Sequence, residues 1–274
     1  MTARILVNGV EGDRVSALDR GMAYGDGLFE TIRAINGVAP LWARHMARLH
    51  DGCARLGLPA PEIETLADEF ARVVEGSPDA VVKIILTRGI GERGYAPSVT
   101  ANATRIVAAF PAPRLPADWY RDGIRVRCCA LRLAAQPRLA GIKHLNRLEQ
   151  VLARAEWSDA DVIEGLTFDH ADNLVSATAA NVFAAIDGVL RTPPVDACGV
   201  AGVLRGALLE ALPDVRVQTT TKEDLMRADE LFLTSSVRGV LPVRALDERA
   251  LRVGRHARAA QAQWHALGFP GGDA

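Results

Sequence analysis

Short runs of alternating apolar and polar residues, separated by tight turns, recur along the chain. The clearest turns are Asn8-Gly9, Asn36-Gly37 and Asp187-Gly188, which follow the runs RILV, LFETIRAI and NVFAAI. Asn or Asp followed by Gly tolerates the positive φ angles that a two-residue type I′ turn requires. The pattern therefore predicts hairpins, and sheets that are largely antiparallel.

Helical patterns alternate with these hairpins. Apolar residues recur at spacings of three and four in the segments 41–56, 145–155 and 203–211, and a more polar helix is predicted around 255–267. Thr221 and Asp224 have the spacing of a capping box, which predicts a short helix before a strand at Glu230 to Thr234. Together these elements predict an α+β fold.

A proline-rich stretch divides the chain. Pro111, Pro113 and Pro116 lie within six residues, where they interrupt regular structure. We therefore expect a smaller N-terminal α+β domain over 1–112, a linker over 113–118 and a larger C-terminal α+β domain over 119–274. A length of 274 residues is compatible with two domains of ordinary size.

Charge and hydropathy exclude several classes of protein. The 32 basic and 33 acidic residues leave a formal charge of −1, so there is no basic footprint for nucleic acid. No apolar run approaches the roughly 20 residues that span a bilayer. The turn at Asn8-Gly9 comes too early for the apolar core of a signal peptide. We expect a soluble cytoplasmic protein without nucleic-acid or membrane partners, and its location in the cytoplasm stays a prediction.

The spacing of cysteine and histidine predicts neither a disulfide scaffold nor a metal site. His45 and His50 do not form the H-E-x-x-H pattern of a zinc helix. No C-x-x-C pair occurs among the four cysteines, which are Cys53, Cys128, Cys129 and Cys198.

Lysine is rare in this chain, which narrows the search for amine chemistry. Of the 32 basic residues only three are lysine, at positions 83, 143 and 222. Lys83 lies in an alternating strand, at an exposed or edge position, and Lys222 follows a predicted helix N-cap, so both are typical of solvated side chains. Lys143 lies between an extended segment and a helix, whose positive end would favour a neutral, nucleophilic amine. From position alone, a structural lysine remains the simpler interpretation of Lys143.

Two glycine-rich segments could contact a ligand. The segment Gly89 to Gly94 matches G-x-G-x-x-G, but neither a predicted helix nor a suitably spaced acidic residue follows, so a dinucleotide site is disfavoured. It is either a plain loop or a loop that presents Arg93 and Tyr95 to a carboxylate. The segment Cys198 to Arg205 has two glycines before a helix, which suits either a phosphate or a simple turn.

Several segments resemble the fold-type IV pyridoxal-phosphate enzymes. The residues AGIKHLNRLEQ at 140–150 resemble the cofactor-lysine segment of the lyases in this family, and RGY at 93–95 is typical of the same lyases. Segments shared with the aminotransferases of the family are YGDGLFET at 24–31, HMARL at 45–49, ANVF at 180–183 and SS at 235–236.

This resemblance implies a two-domain fold-type IV architecture with largely antiparallel sheets and flanking helices. It also implies a homodimer and pyridoxal 5′-phosphate as cofactor, joined to Lys143 as a Schiff base. Further cofactor contacts are implied for Arg48, Ser176, Val203, Leu204 and Ser236, and substrate contacts for Arg93, Tyr95, Tyr24 and Asn146. Arg48 could instead be a surface arginine, and Asn146 could cap its own helix. We interpret His45, one turn before Arg48, as a satisfied core histidine.

Ser176 departs from the family pattern, in which a Glu at this place bonds the pyridine nitrogen of the cofactor. A carboxylate keeps that nitrogen protonated and makes the ring a strong electron sink, whereas a hydroxyl favours the neutral ring. This weakens an aminotransferase interpretation more than a lyase interpretation. The resemblance implies a lyase that converts 4-amino-4-deoxychorismate to 4-aminobenzoate and pyruvate in folate biosynthesis. A D-amino acid or branched-chain aminotransferase is the alternative, and an inactive paralogue is the third possibility.

Overall fold

The computed structural model describes residues 4–97 and 102–270. The chain divides into two compact units, the first formed by Met1–Pro113 with Ile142–Asn146 and the second by Arg114–Gly141 with Arg147–Ala274. The sequence-based boundary assigned the lysine segment to the C-terminal domain. The structure instead groups Ile142–Asn146 with the first unit, because this segment pairs with a strand of that unit.

The first unit combines a five-stranded antiparallel sheet with three helices, within the described residues. The sheet order is β2-β1-β5-β4-β3. The elements are β1 (Arg4–Val7), β2 (Val10–Glu11), α1 (Arg20–Tyr24), β3 (Gly27–Ile35), α2 (Trp42–Leu56), α3 (Ile63–Val74), β4 (Asp79–Thr87) and β5 (Thr104–Pro111).

Strand β3 is the element on which the site depends. Buried and half-buried positions alternate along it. Leu28, Glu30, Ile32 and Ala34 share the buried face, and Phe29 and every second residue after it lie on the other face. Helix α2 packs beside β3 and contributes its own buried residues, His45, Met46, Leu49, Gly52 and Cys53.

The second unit is built on a larger, mixed sheet. Its order is β11-β10-β9-β12-β13-β6-β7-β8, with β14 paired to β13, and three of its strand pairs (β10–β11, β6–β13 and β6–β7) are parallel. The elements are α4 (Ala117–Arg121), β6 (Ile124–Leu133), α5 (Leu148–Arg154), β7 (Val162–Asp169), β8 (Leu174–Ala177), β9 (Asn181–Ile186), β10 (Val189–Thr192), α6 (Val203–Ala211), β11 (Arg216–Val217), α7 (Lys222–Leu225), β12 (Glu230–Ser235), β13 (Gly239–Leu246), β14 (Arg249–Ala250) and α8 (Arg255–Ala266).

The predicted fold class is confirmed, since both sheets are largely antiparallel and helices flank them. All three predicted turns have positive φ at both central residues, as a type I′ turn requires. Thr221 and Asp224 form the predicted capping box at the start of α7. Helix α3 was not predicted, although its buried residues Leu66, Phe70, Val73 and Val74 have helical spacing.

Lys83 does not occupy the exposed or edge position expected for it. Strand β4 lies between β5 and β3, and Lys83 is half-buried there. Among the described helices, none is long and apolar enough to cross a membrane. The described residues contain no cluster of three or more His, Cys, Asp or Glu side chains that could hold a metal ion.

Candidate active site

Lys143 is held against strand β3. The Phe29 backbone N–H donates to the Lys143 carbonyl oxygen at 2.9 Å, and the Leu145 N–H donates to the Gly27 carbonyl oxygen at 2.9 Å. The Lys143 Nζ lies 4.2 Å from the centre of the Phe29 ring. A Cβ on Gly27 would lie 2.3 Å from the Leu86 carbonyl oxygen, so only glycine allows the start of β3 to pack this closely against β4. The backbone and the amine of Lys143 are therefore both positioned by β3.

Glu30, the residue after Phe29 on β3, joins two side chains of α2. Its Oε1 accepts from Arg48 Nε at 2.8 Å, and its Oε2 accepts from Arg48 Nη2 at 2.5 Å. The same Oε2 lies 2.6 Å from His45 Nδ1. The side chains of Glu30 and His45 are each 1 % exposed and that of Arg48 is 11 % exposed. Arg48 is therefore not a surface arginine, and the interpretation of His45 as a satisfied core histidine is confirmed.

The charges in this cluster follow from burial and hydrogen bonding. Burial alone raises the pKa of Glu30, but the Arg48 charge and the hydrogen bonds from His45 and Arg48 outweigh it and lower the pKa to about 2. Burial lowers the pKa of His45, and the partial compensation by Glu30 does not reverse that shift. A carboxylate only accepts hydrogen bonds, so Nδ1 of the neutral His45 carries the proton. The cluster therefore pairs one carboxylate with one guanidinium.

The residues expected to contact substrate all lie in the first unit. The rings of Tyr24 and Tyr95 are 5.5 Å apart, and the Tyr24 hydroxyl accepts from the Gly94 N–H at 3.2 Å. Arg93, which precedes Gly94, is exposed. Asn146 Nδ2 donates to the Gly25 carbonyl oxygen at 3.2 Å. Asn146 does not cap its helix, because α5 has Arg147 at its N-cap and no side-chain cap hydrogen bond.

The glycine-rich segment from Gly89 to Gly94 forms a loop. No helix begins within the described residues 88–97, and a dinucleotide fingerprint requires a helix at this point to bind the pyrophosphate. The structure thus supports the loop interpretation, with Arg93 and Tyr95 at its end.

The second unit contains the other residues expected to bind phosphate, since Arg48 lies on α2 of the first unit. Val203 and Leu204 are the first two residues of α6, with Gly202 as N-cap, and the first backbone N–H groups of a helix suit an anion. A Cβ on Gly202 would lie 2.0 Å from Asn181 Oδ1. Thr234 Oγ1 is buried and has no hydrogen-bond partner among the described residues. The start of α6 therefore fits a phosphate group, and Thr234 is the residue that pairs with Asn181 between β12 and β9.

Ser176 and Ser236 also belong to the second unit. Ser176 is buried on β8, and its Oγ lies 3.0 Å from Thr167 Oγ1. Ser236 follows β12 in a turn that is held by Arg238, whose N–H donates to Ser235 Oγ at 3.0 Å.

An ion pair that sequence analysis missed anchors this turn. Arg238 Nη2 donates to Glu164 Oε2 at 2.5 Å, and Glu164 Oε1 accepts from the Thr178 hydroxyl. The sequence signal was Glu164 itself, a single carboxylate within the apolar strand VIEGLTF. A carboxylate in such a run must be paired when it is buried.

Comparison with known proteins places the chain in a family. Residues 27–246 match the family model described as amino-transferase class IV. The chain belongs to the class IV amino-transferase family. The fold-type IV resemblance stated from the sequence is thereby confirmed.

Class IV relatives of two kinds match nearly the whole chain. An aminodeoxychorismate lyase from Vibrio harveyi is 36 % identical over 241 residues, which cover 86 % of this chain and 89 % of the relative. A putative branched-chain-amino-acid aminotransferase from Methanocaldococcus jannaschii is 33 % identical over 247 residues, covering 87 % and 84 %.

Solved structures of class IV enzymes share the fold. The 4-amino-4-deoxychorismate lyase from Pseudomonas aeruginosa superimposes with a TM-score of 0.91 and 44 % identity, covering 96 % of this chain and 98 % of its own. The branched-chain amino acid aminotransferase from Escherichia coli gives a TM-score of 0.84 and 26 % identity, covering 96 % and 94 %.

We expect Glu30→Gln to destabilise the protein in a pH-dependent way. At neutral pH the loss of the buried carboxylate should lower the free energy of unfolding by about 3–5 kcal/mol, because the buried ion pair between Glu30 and Arg48 is broken. The folded-state pKa of Glu30 is about 2, below the ordinary value of 4.5. Its stabilisation is therefore complete above that ordinary value and is lost as the pH falls towards 2.

The measurement is urea unfolding of the wild type and Glu30→Gln, from about pH 7 down to about pH 3. The difference between the two proteins should narrow below the ordinary pKa of glutamate. Glu64→Gln, at an exposed position of α3, is the matched control and should change stability little at any pH. A gap between wild type and Glu30→Gln that stays constant with pH would contradict the assignment of an ionised Glu30.

Proposed function

We propose that this chain is a pyridoxal-phosphate-dependent lyase that converts 4-amino-4-deoxychorismate to 4-aminobenzoate and pyruvate. The observation that carries this proposal is the 44 % identity, over 96 % of the chain, to the 4-amino-4-deoxychorismate lyase of Pseudomonas aeruginosa. The aminotransferase of the same fold from Escherichia coli reaches only 26 %. The product 4-aminobenzoate would serve folate biosynthesis.

The residues of this chain fit the cofactor as follows. Lys143 would bind its aldehyde and Arg48 its phosphate. The resemblance also implies cofactor contacts for the N–H groups of Val203 and Leu204 and for the hydroxyl of Ser236. Glu30, which also binds His45, holds the Arg48 guanidinium in one orientation, and this favours a planar, bidentate contact with an anion. When bound, pyridoxal phosphate withdraws electrons from the carbon that bears the substrate amine and so acidifies its C–H bond.

Once the substrate amine has displaced it from the cofactor, the free Lys143 Nζ would remove that proton as a general base. The Phe29 ring and the backbone pairing with β3 keep the amine in place for this role. Arg93 binds a substrate carboxylate and orients the molecule, while Tyr24, Tyr95 and Asn146 surround it. Loss of this proton would break the C–O bond to the three-carbon group, which would leave with the electron pair and take up a proton to become pyruvate. The substrate ring would become aromatic, and this would drive the reaction towards 4-aminobenzoate.

We expect Lys143→Ala to abolish lyase activity, with a loss of at least about 10³-fold, because both the covalent attachment and the base are removed. The wild type incubated with pyridoxal phosphate should absorb near the edge of the visible range, and borohydride should then fix the cofactor to Lys143. Lys143→Ala should show neither property. Lys222→Ala, on α7, is the control and should retain both properties. Formation of 4-aminobenzoate and amination of keto acids are assayed side by side. An active aminotransferase that forms no 4-aminobenzoate would overturn the proposal.

The aminotransferase alternative is supported by the 33 % identity to the Methanocaldococcus jannaschii relative, and Ser176 argues against it. The Ser176 Oγ pairs with the Thr167 hydroxyl at 3.0 Å, so this position offers a hydroxyl where the family pattern has a carboxylate. Without a carboxylate at position 176, this chain would hold a proton less firmly on the ring nitrogen of the cofactor, and transamination, which depends on the protonated ring, would be slower. Elimination that ends in an aromatic product depends less on that stabilisation.

Ser176→Glu should therefore raise transaminase side activity by about tenfold, which is the effect on the rate expected from one additional charge-assisted hydrogen bond. Ser176→Ala is the matched control, since it removes the hydroxyl without adding a carboxylate, and it should leave transamination unchanged. The measurement is the rate of keto-acid amination by the loaded enzymes. If Ser176→Glu folds, binds cofactor and transaminates no faster than the wild type, the role given to Ser176 is wrong.

We also propose that the protein is a homodimer that uses the exposed apolar face of α5. Leu148, Val151 and Leu152 are 69 %, 60 % and 53 % exposed, and they share one face of the helix at spacings of three and four. A two-fold axis brings the same patch of both subunits together, so this face would cover itself in a dimer.

Val151→Asp should shift the protein from a dimer to a monomer of 29.4 kDa, because two-fold symmetry places two carboxylates in one interface. Light scattering after size-exclusion chromatography measures the mass. Val10→Asp, at a 70 % exposed position of β2, is the control and should remain dimeric. A monomeric wild type would exclude the dimer, and a dimeric Val151→Asp would exclude this face.

A further inference from the structure

Arg20 is a buried arginine whose guanidinium binds the end of the loop that carries Arg93. It is only 4 % exposed. Its Nη1 donates to the Gly94 carbonyl oxygen at 2.8 Å, and its Nη2 donates to the Tyr95 carbonyl oxygen at 3.1 Å. Both terminal nitrogens thus bind the two carbonyls that directly follow Arg93.

The remaining contacts of Arg20 fix its position from the other side. Its Nε donates to Asp26 Oδ2 at 2.9 Å, and its guanidinium carbon lies 4.9 Å from the centre of the Tyr24 ring. Asp26 is also bound by Arg88, whose Nε and Nη2 donate at 2.8 and 3.1 Å. Burial raises the pKa of Asp26, but hydrogen bonds from both arginines outweigh it and lower the pKa. Arg20 is therefore held by an ionised carboxylate and an aromatic ring.

The loop wraps closely around this side chain. A Cβ on Gly91 would lie 2.7 Å from Arg20 Cδ, so the loop backbone passes directly against the arginine stem. Gly94 has a φ of 101°, which residues with a side chain rarely adopt. Its N–H donates to the Tyr24 hydroxyl. The conformation of residues 91–95 is thus determined by Arg20 and Tyr24 together.

We propose that Arg20 is a positioning residue that sets substrate affinity by holding the loop 91–95 in the conformation that presents Arg93 and Tyr95. The proposal rests on the proposed function in assigning those two residues to the substrate. A loop that is ordered before binding loses less conformational entropy when the substrate arrives. Only the planar fork of arginine donates to two successive carbonyls and a carboxylate at once.

Arg20→Met tests this role, because it keeps the length of the side chain and removes the donors. We expect KM for 4-amino-4-deoxychorismate to rise about tenfold with kcat changed by less than about twofold, since binding is affected and the reacting groups are not. Hydrogen exchange of the peptide that contains residues 90–95 should become faster. Gly91→Ala, which crowds Arg20 from the loop side, should raise KM in the same direction without removing any buried charge.

Arg88→Met is the matched control. Arg88 shares Asp26 with Arg20, but its other donors bind the Leu56 and Gly57 carbonyls at the end of α2 rather than the loop. The Arg88→Met variant should have a lower midpoint of thermal unfolding, but its KM and the hydrogen exchange of residues 90–95 should stay close to the wild-type values. An equal rise of KM in Arg88→Met and Arg20→Met would overturn the proposal, since it would show a general loss of packing.

The outcomes separate this inference from the proposed function. If the wild type forms 4-aminobenzoate and Arg20→Met and Gly91→Ala leave KM unchanged, the inference fails and the function stands. If the wild type forms none, the function fails, and hydrogen exchange at residues 90–95 still decides whether Arg20 orders the loop. Unchanged exchange in Arg20→Met would overturn the inference in either case.

Discussion

The buried charge of Glu30 is the constraint on which the candidate site depends. An ionised carboxylate inside a protein must be paired with a charge and hydrogen-bonded. Here Arg48 on α2 supplies the charge, and His45 on the same helix supplies a further hydrogen bond. The pairing fixes the register of α2 against β3 and the direction of the Arg48 guanidinium. Phe29, the preceding residue, lies on the opposite face of the strand and positions Lys143. The alternation of one strand therefore positions the Arg48 guanidinium from one face and the Lys143 amine from the other.

Arginine side chains form the ion pairs with the buried carboxylates described above. Arg20, Arg48 and Arg88 each bind a carboxylate within the first unit, and Arg238 does the same in the second. The guanidinium stays charged when buried and binds in a planar fork, whereas a buried lysine readily loses its proton. This difference gives a physical reason why the buried ion pairs described above use arginine and not lysine.

Local signals were enough to predict much of the fold. The turns at 8–9, 36–37 and 187–188, the helices α2 and α6 and the capping box of α7 all depend on residues close together in the chain. Prediction was less accurate where distant segments decide the outcome. The helix expected over 145–155 begins only at Leu148, because Lys143 and Leu145 make backbone hydrogen bonds with β3 instead.

The sequence by itself was enough to identify the family, to single out Lys143 and to find residues of the types that bind phosphate and carboxylate groups, because each of these depends on a short motif. It could not assign partners to Glu30, Glu164 or Arg20, since the groups that neutralise a buried charge lie 18, 74 and 6 positions away in the chain. Only the tertiary structure decided that Arg48 is held by Glu30 and that the Arg93 loop rests on Arg20. Burial makes those pairings obligatory, and burial is a property of the folded chain.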